Sequence, residues 1–354
     1  MKRYVFEGNE FIGKLLEERL PSSEWTLTDD VEGADVAITY CISQTKLEDA
    51  YFDTDGFVQR MKPGAILVDF SATTPSLARE ISAMAEVSDL LPVEAPIVVK
   101  DTTVEDAFAD RSNVSAFVAG AKDAVDEARP VIEALAGAFE YRGESGSAQL
   151  ARAAYTIQQT AQLLAAVEVD SLVRETCRSV TSVAHLDDHI DALTPTVEKT
   201  LKAVADERFS GTYTIEMFMA EVSAALTAAD DIDLILPQLE SSLHLLEILA
   251  VIGGVDMAPA ALSLLYRDEE AAANHGLDWA RAEEYYRNGG NASMGAHEHA
   301  HDDGDDADEG AGSAGSDDVI GYDGADQGYG PDDFGDDYDD DDGYLGGFGG
   351  YSSN

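Results

Sequence analysis

Arg152 and Tyr155 stand three residues apart in Ala148–Ser179, a run with almost no helix breakers, so one helix face carries both. A guanidinium stays protonated and is a poor proton shuttle, but its two-pronged fork of donors can hold a carboxylate. A phenol beside it can act as acid or base, because a neighbouring cation stabilises the phenolate. In that reading Tyr155 moves the proton, and Arg152 orients a substrate or its developing oxyanion. Packing between two domains accounts for the pair as well. Ser71 follows a buried strand and precedes a helix. Its hydroxyl can bind a carboxylate or an amide, or simply cap the helix. His185 and His189, in HLDDH, have the spacing of one metal-binding helix face, though an exposed polar segment explains them too. His297, His299 and His301 alternate in a tract that transition metals can bind adventitiously. No working metal site is expected. The chain has no P-loop lysine motif, Ser-His-Asp signature, His-Glu-x-x-His pattern or basic aromatic patch.

The elements that position these residues change character along the chain. Lys2–Glu7 reads as a strand, Gly8–Gly13 as a turn and Phe11–Leu20 as a helix ended by Pro21. Trp25–Thr28 is a second strand. Asp35–Ser43 and Ala65–Phe70 are continuous apolar runs, as buried parallel strands are. Leu47–Met61 is expected to be one helix. A further helix opens at Thr74-Pro75, and strand Ser115–Ala119 precedes helix Ala124–Ala136. Strand and helix alternate, which predicts an α/β fold: a Rossmann-like, doubly wound parallel sheet over residues 1–145. Residues 146–288 are expected to be all-helical, with helices near Pro195–Ala205, Thr214–Ala229, Leu236–Val251, Ala258–Ala273 and Trp279–Tyr286. Residues 289–354 are Gly, Asp, Ser and Tyr with few apolar residues, the composition of a disordered acidic tail. Its scattered Tyr and Phe name no partner.

The formal net charge is -48 over 354 residues. The last 54 residues hold 18 acids and no base, so the first 300 still carry 52 acids against 22 bases. Acid spread through the folded part fits adaptation to concentrated salt, which screens the self-repulsion. Nucleic acid is excluded as a partner by the lack of a positive face. Two cysteines, Cys41 and Cys177, make no disulfide framework and point to a reducing interior. The start is not that of a signal peptide, and no stretch is long enough to span a membrane. A cytoplasmic protein is the expectation.

Three segments carry a family resemblance. MKPGAILVDFSATTPSLAREI, residues 61–81, has Asp69, Ser71 and Pro75 in place. The run from Ser115 to Arg152 ends in GESGSAQLAR, with Gly143, Gly146, Ser147 and Gln149 at turn positions. GGVDMAPAALSLLYRDEEAAANHGLDWA, residues 253–280, supplies closing helices. In order and spacing they resemble the 3-hydroxyisobutyrate and 6-phosphogluconate dehydrogenases, the β-hydroxyacid dehydrogenase superfamily, over most of residues 1–287. The acidic composition looks like a divergent, haloarchaeal-type member.

That resemblance implies an NAD(P)-dependent oxidoreductase acting on a small hydroxy acid, carbonyl or imine. It also implies a homodimer, and a site between the domains. It places NAD or NADP against Gly8, Asn9, Phe11, Ile12 and Gly13, with Asp29 or Asp30 at the ribose and Cys41 and Ser71 further along. Ser71 and Arg152 would bind substrate, and Arg152 and Tyr155 would be catalytic.

The departures fall on the same positions. Glu10 replaces the second glycine of G-x-G-x-x-G, and a strand-helix-strand stretch is missing before Ala34. Glu94–Lys100 lacks the family's Ser and Gly donors. Arg152 stands for the catalytic lysine, Tyr155 for an asparagine, and Ala220–Glu221 for a Lys-Asp pair. They keep open a non-catalytic scaffold, ligand sensor or partner-binding subunit.

Overall fold

Apolar β-branched runs form the middle of a mixed sheet. The computed structural model describes residues 1–179 and 194–287. The tail from residue 289 and His185, His189, His297, His299 and His301 lie outside the described residues. Strands β1 (Lys2–Gly8), β2 (Trp25–Leu27), β3 (Val36–Tyr40), β4 (Ile66–Asp69) and β5 (Leu91–Glu94) run parallel in the order β2-β1-β3-β4-β5. Every residue of β3 and β4 is buried, as expected of strands covered on both faces. β7 (Val114–Gly120) is antiparallel to β5 and to β6 (Ile97–Val99), which both pair along one side of it; β8 (Ala138–Gly143) adds to β7 in parallel.

Helices cover both faces. α1 (Glu10–Arg19) and α5 (Lys122–Leu135) lie against one core, which Val36, Ile38 and Tyr40 of β3 enter. α2 (Gln44–Phe52), α3 (Phe57–Arg60) and α4 (Pro75–Val87) enclose a second core, reached by Ala37 and by Cys41. That alternation is the two-residue period of a strand. The run expected as one helix over Leu47–Met61 is two, because Gly56 N closes a turn onto Asp53 O between α2 and α3. β5, β6 and β8 were not expected as strands. They are short, β5 contains Pro92, and β8 is mostly exposed.

The helical half begins with α6 (Ser147–Ser179), 33 residues long. α7 (Pro195–Ala205), α8 (Ile215–Asp230) and α9 (Pro237–Leu249) follow. Pro259–Tyr266 is a 3₁₀ helix, before the short α10 (Glu269–Ala273) and α11 (Trp279–Arg287). The main core runs unbroken from Tyr4 on β1 to Ala282 on α11, so sheet and helices share it. Among the described residues no helix is long and apolar enough to cross a membrane.

Gly8 closes β1 at φ +133°, and a Cβ there would lie 2.1 Å from Tyr40 O on β3. Gly8→Ala should therefore cost more than about 2 kcal/mol of stability, through backbone strain and a clash that no rotamer relieves. Urea unfolding in molar salt checks this.

Candidate active site

The first turn of α1 meets the carboxyl ends of β1 and β3. Asn9 N donates to Tyr40 O at 2.9 Å. Asn9 Oδ1 accepts from Phe11 N at 3.1 Å and Ile12 N at 3.3 Å, so the carboxamide caps the amides that a helix N-terminus offers to an anion. Glu10 is exposed and paired with Lys14 at 2.6 Å, a contact that holds its carboxyl below the usual range. Gly13 lies against the Phe6 ring. Asp29 and Asp30 are exposed just beyond β2, which pairs directly with β1. Asp30 contacts Arg3 Nη1 at 3.1 Å and accepts from Gly33 N at 3.1 Å.

Ser71 and Cys41 are turned inward. Ser71 Oγ accepts from Cys41 N at 2.8 Å, its N–H donates to Asp69 Oδ1 at 2.9 Å, and its carbonyl accepts from Gln149 Nε2 at 2.9 Å. Both side chains are buried. They brace the ends of β3 and β4 against α6. Burial, with the Asp69 carboxylate adding to it, pushes the Cys41 thiol up to about 12, so it is neutral.

Gly146, at φ +87°, turns the chain into α6, and a Cβ there would meet Pro75 O at 2.8 Å. From this start Gln149, Arg152, Thr156 and Gln159 share one buried face. Arg152 is 2% exposed. Its Nη1 bonds Thr156 Oγ1, and its Nη2 meets Glu221 Oε2, brought in by α8. Tyr213 Oη donates to the same Glu221 oxygen. Burial opposes the Arg152 charge, but the Glu221 carboxylate outweighs it and holds the guanidinium above its usual range. Arg152 Nε finds no hydrogen-bond acceptor among the described residues.

Tyr155 is half-buried, its ring centroid 5.9 Å from the Arg152 guanidinium carbon. Burial raises its phenol above the ordinary value, and Arg152 only partly offsets this. That is opposite to the stabilised phenolate expected beside a cation, since burial outweighs the Arg152 charge. At neutral pH Tyr155 is a proton donor.

The two regions meet at Tyr40. Its carbonyl holds the glycine turn, and its side chain lines a small cleft with Ile42, Ala72, Met217 and Glu221. An aromatic series, Phe11, Phe108, Tyr213 and Phe218, packs from α1 to α8. Arg152 and Tyr155 are therefore together beside the sheet ends, while Ser71 and Cys41 support them from behind. Glu221 was visible in the sequence only as a motif position. Tyr213 carried no signal there, since nothing in its own segment marks it.

Residues 13–143 match the family described as the NAD binding domain of 6-phosphogluconate dehydrogenase. An uncharacterized oxidoreductase of Bacillus subtilis is 30% identical over 124 residues, 35% of this chain and 41% of that one. The NAD-dependent L-serine dehydrogenase of Pseudomonas aeruginosa is 31% identical over 124 residues, 35% of this chain and 40% of that enzyme. The matches thus span about two fifths of these curated relatives' length. The Mycobacterium tuberculosis 3-hydroxyisobutyrate dehydrogenase structure with L-serine shares the fold: TM-score 0.55 at 18% identity, over 76% of this chain and 100% of that one. Residues 13–143 thus match an NAD-binding domain of the β-hydroxyacid dehydrogenase kind, and the described chain shares the fold of a 3-hydroxyisobutyrate dehydrogenase.

Proposed function

We propose that the protein is an NAD(P)-dependent oxidoreductase that interconverts a small hydroxy acid, or a related amine, with its carbonyl or imine. The observation that carries this reading is the half-buried, protonated Tyr155 over Arg152, beside the sheet ends where open α/β folds bind ligands. The first turn of α1 fits a dinucleotide diphosphate in one respect that can be tested on this chain. The Phe11 and Ile12 amides already hold an oxygen, that of Asn9, whose side chain is only half-buried and can rotate away. Asp29 and Asp30 would meet the adenosine ribose, and they would repel a 2′-phosphate, favouring NAD over NADP.

A nicotinamide bound there supplies or accepts the hydride. The chain's own residues do the rest. Tyr155 Oη gives a proton to the substrate oxygen or nitrogen, and takes it back in the reverse direction. The buried Arg152 guanidinium, whose Nε has no acceptor among the described residues, would supply positive charge near the developing negative charge. Glu221 and Tyr213 fix the guanidinium's plane. A homodimer, as is implied by the resemblance, would share apolar surface of the helical half.

The locked Arg152–Glu221 pair and the self-capped α1 also favour a second reading, a ligand-binding member without turnover. Nicotinamide absorbance during incubation with a panel of hydroxy acids, ketones and imines in molar salt separates the two. Saturable turnover on any member supports the enzyme. Its absence across the panel, with dinucleotide bound, supports the second reading. Glu10→Gln should tighten dinucleotide binding about threefold or more by removing a like charge from the diphosphate's approach, as read by calorimetry.

A further inference from the structure

Asp69 and Glu94 are register partners on the adjacent parallel strands β4 and β5, so their side chains leave the same face of the sheet as neighbours. They are 5% and 7% exposed. A small cavity lies between them, lined by Tyr51, Leu67, Ile81 and Ser145. Asp69 Oδ1 is served by Thr39 Oγ1 at 2.7 Å and by Ser71 N at 2.9 Å. Glu94 Oε1 accepts from Ala148 N, in the first turn of α6, at 3.2 Å. Glu94 Oε2 has no hydrogen-bond partner among the described residues. Two buried carboxylates on neighbouring strands cannot both ionise cheaply, and one unpartnered oxygen is where a proton would sit.

The other groups facing this pair do not neutralise it. α2 presents the Tyr51 phenol, bonded to Thr39, and burial keeps that phenol neutral. Cys41, beyond β3, is a neutral thiol. Arg79 of α4 acts on Glu94 from a distance, and β7 contributes Ala119 and Gly120. The remaining positive influence is the amino end of α6 itself, whose amides and dipole favour a negative Glu94.

We propose that Asp69 and Glu94 share a single proton, and that Glu94, when ionised, anchors the first turn of α6 and so positions Arg152 and Tyr155. The positioning part rests on the oxidoreductase reading above; the shared proton does not. Arg152 is one turn beyond Ala148, and Gln149 between them ties the same turn to Ser71 and Thr73. A proton on Glu94 weakens the Ala148 bond from a charge-assisted to a neutral one. Consistent with this, burial raises Asp69 to about 6 and Glu94 to about 7.

The test follows the Ala148 amide by NMR across pH, without cofactor or substrate. In the wild type its resonance should titrate in the near-neutral range. Asp69→Asn removes the neighbouring charge and should lower that midpoint by about one pH unit, a tenfold change in proton affinity. Glu94→Gln, which keeps an acceptor for Ala148 N, should abolish the titration. An Ala148 resonance that does not titrate, or a midpoint unmoved by Asp69→Asn, overturns the shared proton. A midpoint that follows sodium against choline at constant ionic strength overturns it in favour of a bound cation. The positioning role is read separately: Glu94→Gln should flatten the acid limb of kcat and leave the dinucleotide KM unchanged. A limb identical to the wild type's removes the positioning role and leaves the proton pair standing.

Discussion

Tyr155→Phe should lower kcat for carbonyl or imine reduction by about 10²–10⁴, the usual worth of a positioned general acid, while dinucleotide affinity stays unchanged. The expectation rests on its protonation state. Burial raises the phenol first, and the guanidinium 5.9 Å from the ring recovers only part of the shift. The neutral form is therefore the working form for reduction. Its pH dependence has a definite sign. Reduction should not decline through the neutral range on account of Tyr155, and should be lost only as pH rises above the ordinary tyrosine range. Oxidation, which needs the phenolate as base, should rise toward the same alkaline limit. Steady-state rates in both directions, with Kd from nicotinamide fluorescence, give the comparison. Equal turnover in wild type and variant would remove Tyr155 from the chemistry.

Glu221→Ala should cost about 3–5 kcal/mol of stability, the largest single loss expected outside the glycine turn. Glu221 is 5% exposed and is the carboxylate that meets the Arg152 guanidinium. Its removal strands a buried cation and leaves the Tyr213 hydroxyl without its acceptor. The loss should be unequal between the partners. In Arg152→Met, Glu221 keeps the Tyr213 hydrogen bond, so the cost should be smaller. The double variant Arg152→Met with Glu221→Leu should recover the part of the loss that comes from the stranded cation, while the Tyr213 hydroxyl, still without its acceptor, keeps the rest. Urea unfolding of the three variants settles the order. If Glu221→Ala unfolds with the wild-type midpoint, the pair does not hold α8 to α6.

How much of this was legible in the sequence can be argued residue by residue. The unbroken apolar runs around Val36–Tyr40 and Ile66–Asp69 could only be buried strands, and they are. Gly8 marked the strand-to-helix turn, because close backbone approach leaves a glycine signature, whereas Gly13 lies inside α1 against the Phe6 ring. β5 and β8 left none. Pro92 interrupts the first, and the second is exposed enough to lack an apolar alternation. At the site, Arg152 and Tyr155 were marked by the family resemblance, as the positions of its lysine and asparagine, and their spacing put them on one helix face. The protonation state of Tyr155 was not, because it depends first on burial, which only the tertiary packing sets. Asn9 shows the same division. Its position between Gly8 and Gly13 is a sequence fact, whereas its carboxamide standing on the Phe11 and Ile12 amides is read from the structure.

Dinucleotide binding requires the first turn of α1 to exchange the Asn9 carboxamide for a diphosphate. Calorimetric titration of the full chain with NADH and NADPH in molar salt measures this directly. Saturable binding of at least one, tighter for NADH and strengthened by Glu10→Gln, is the predicted result. Heats indistinguishable from dilution for both nucleotides, in the wild type and in Glu10→Gln alike, would contradict it.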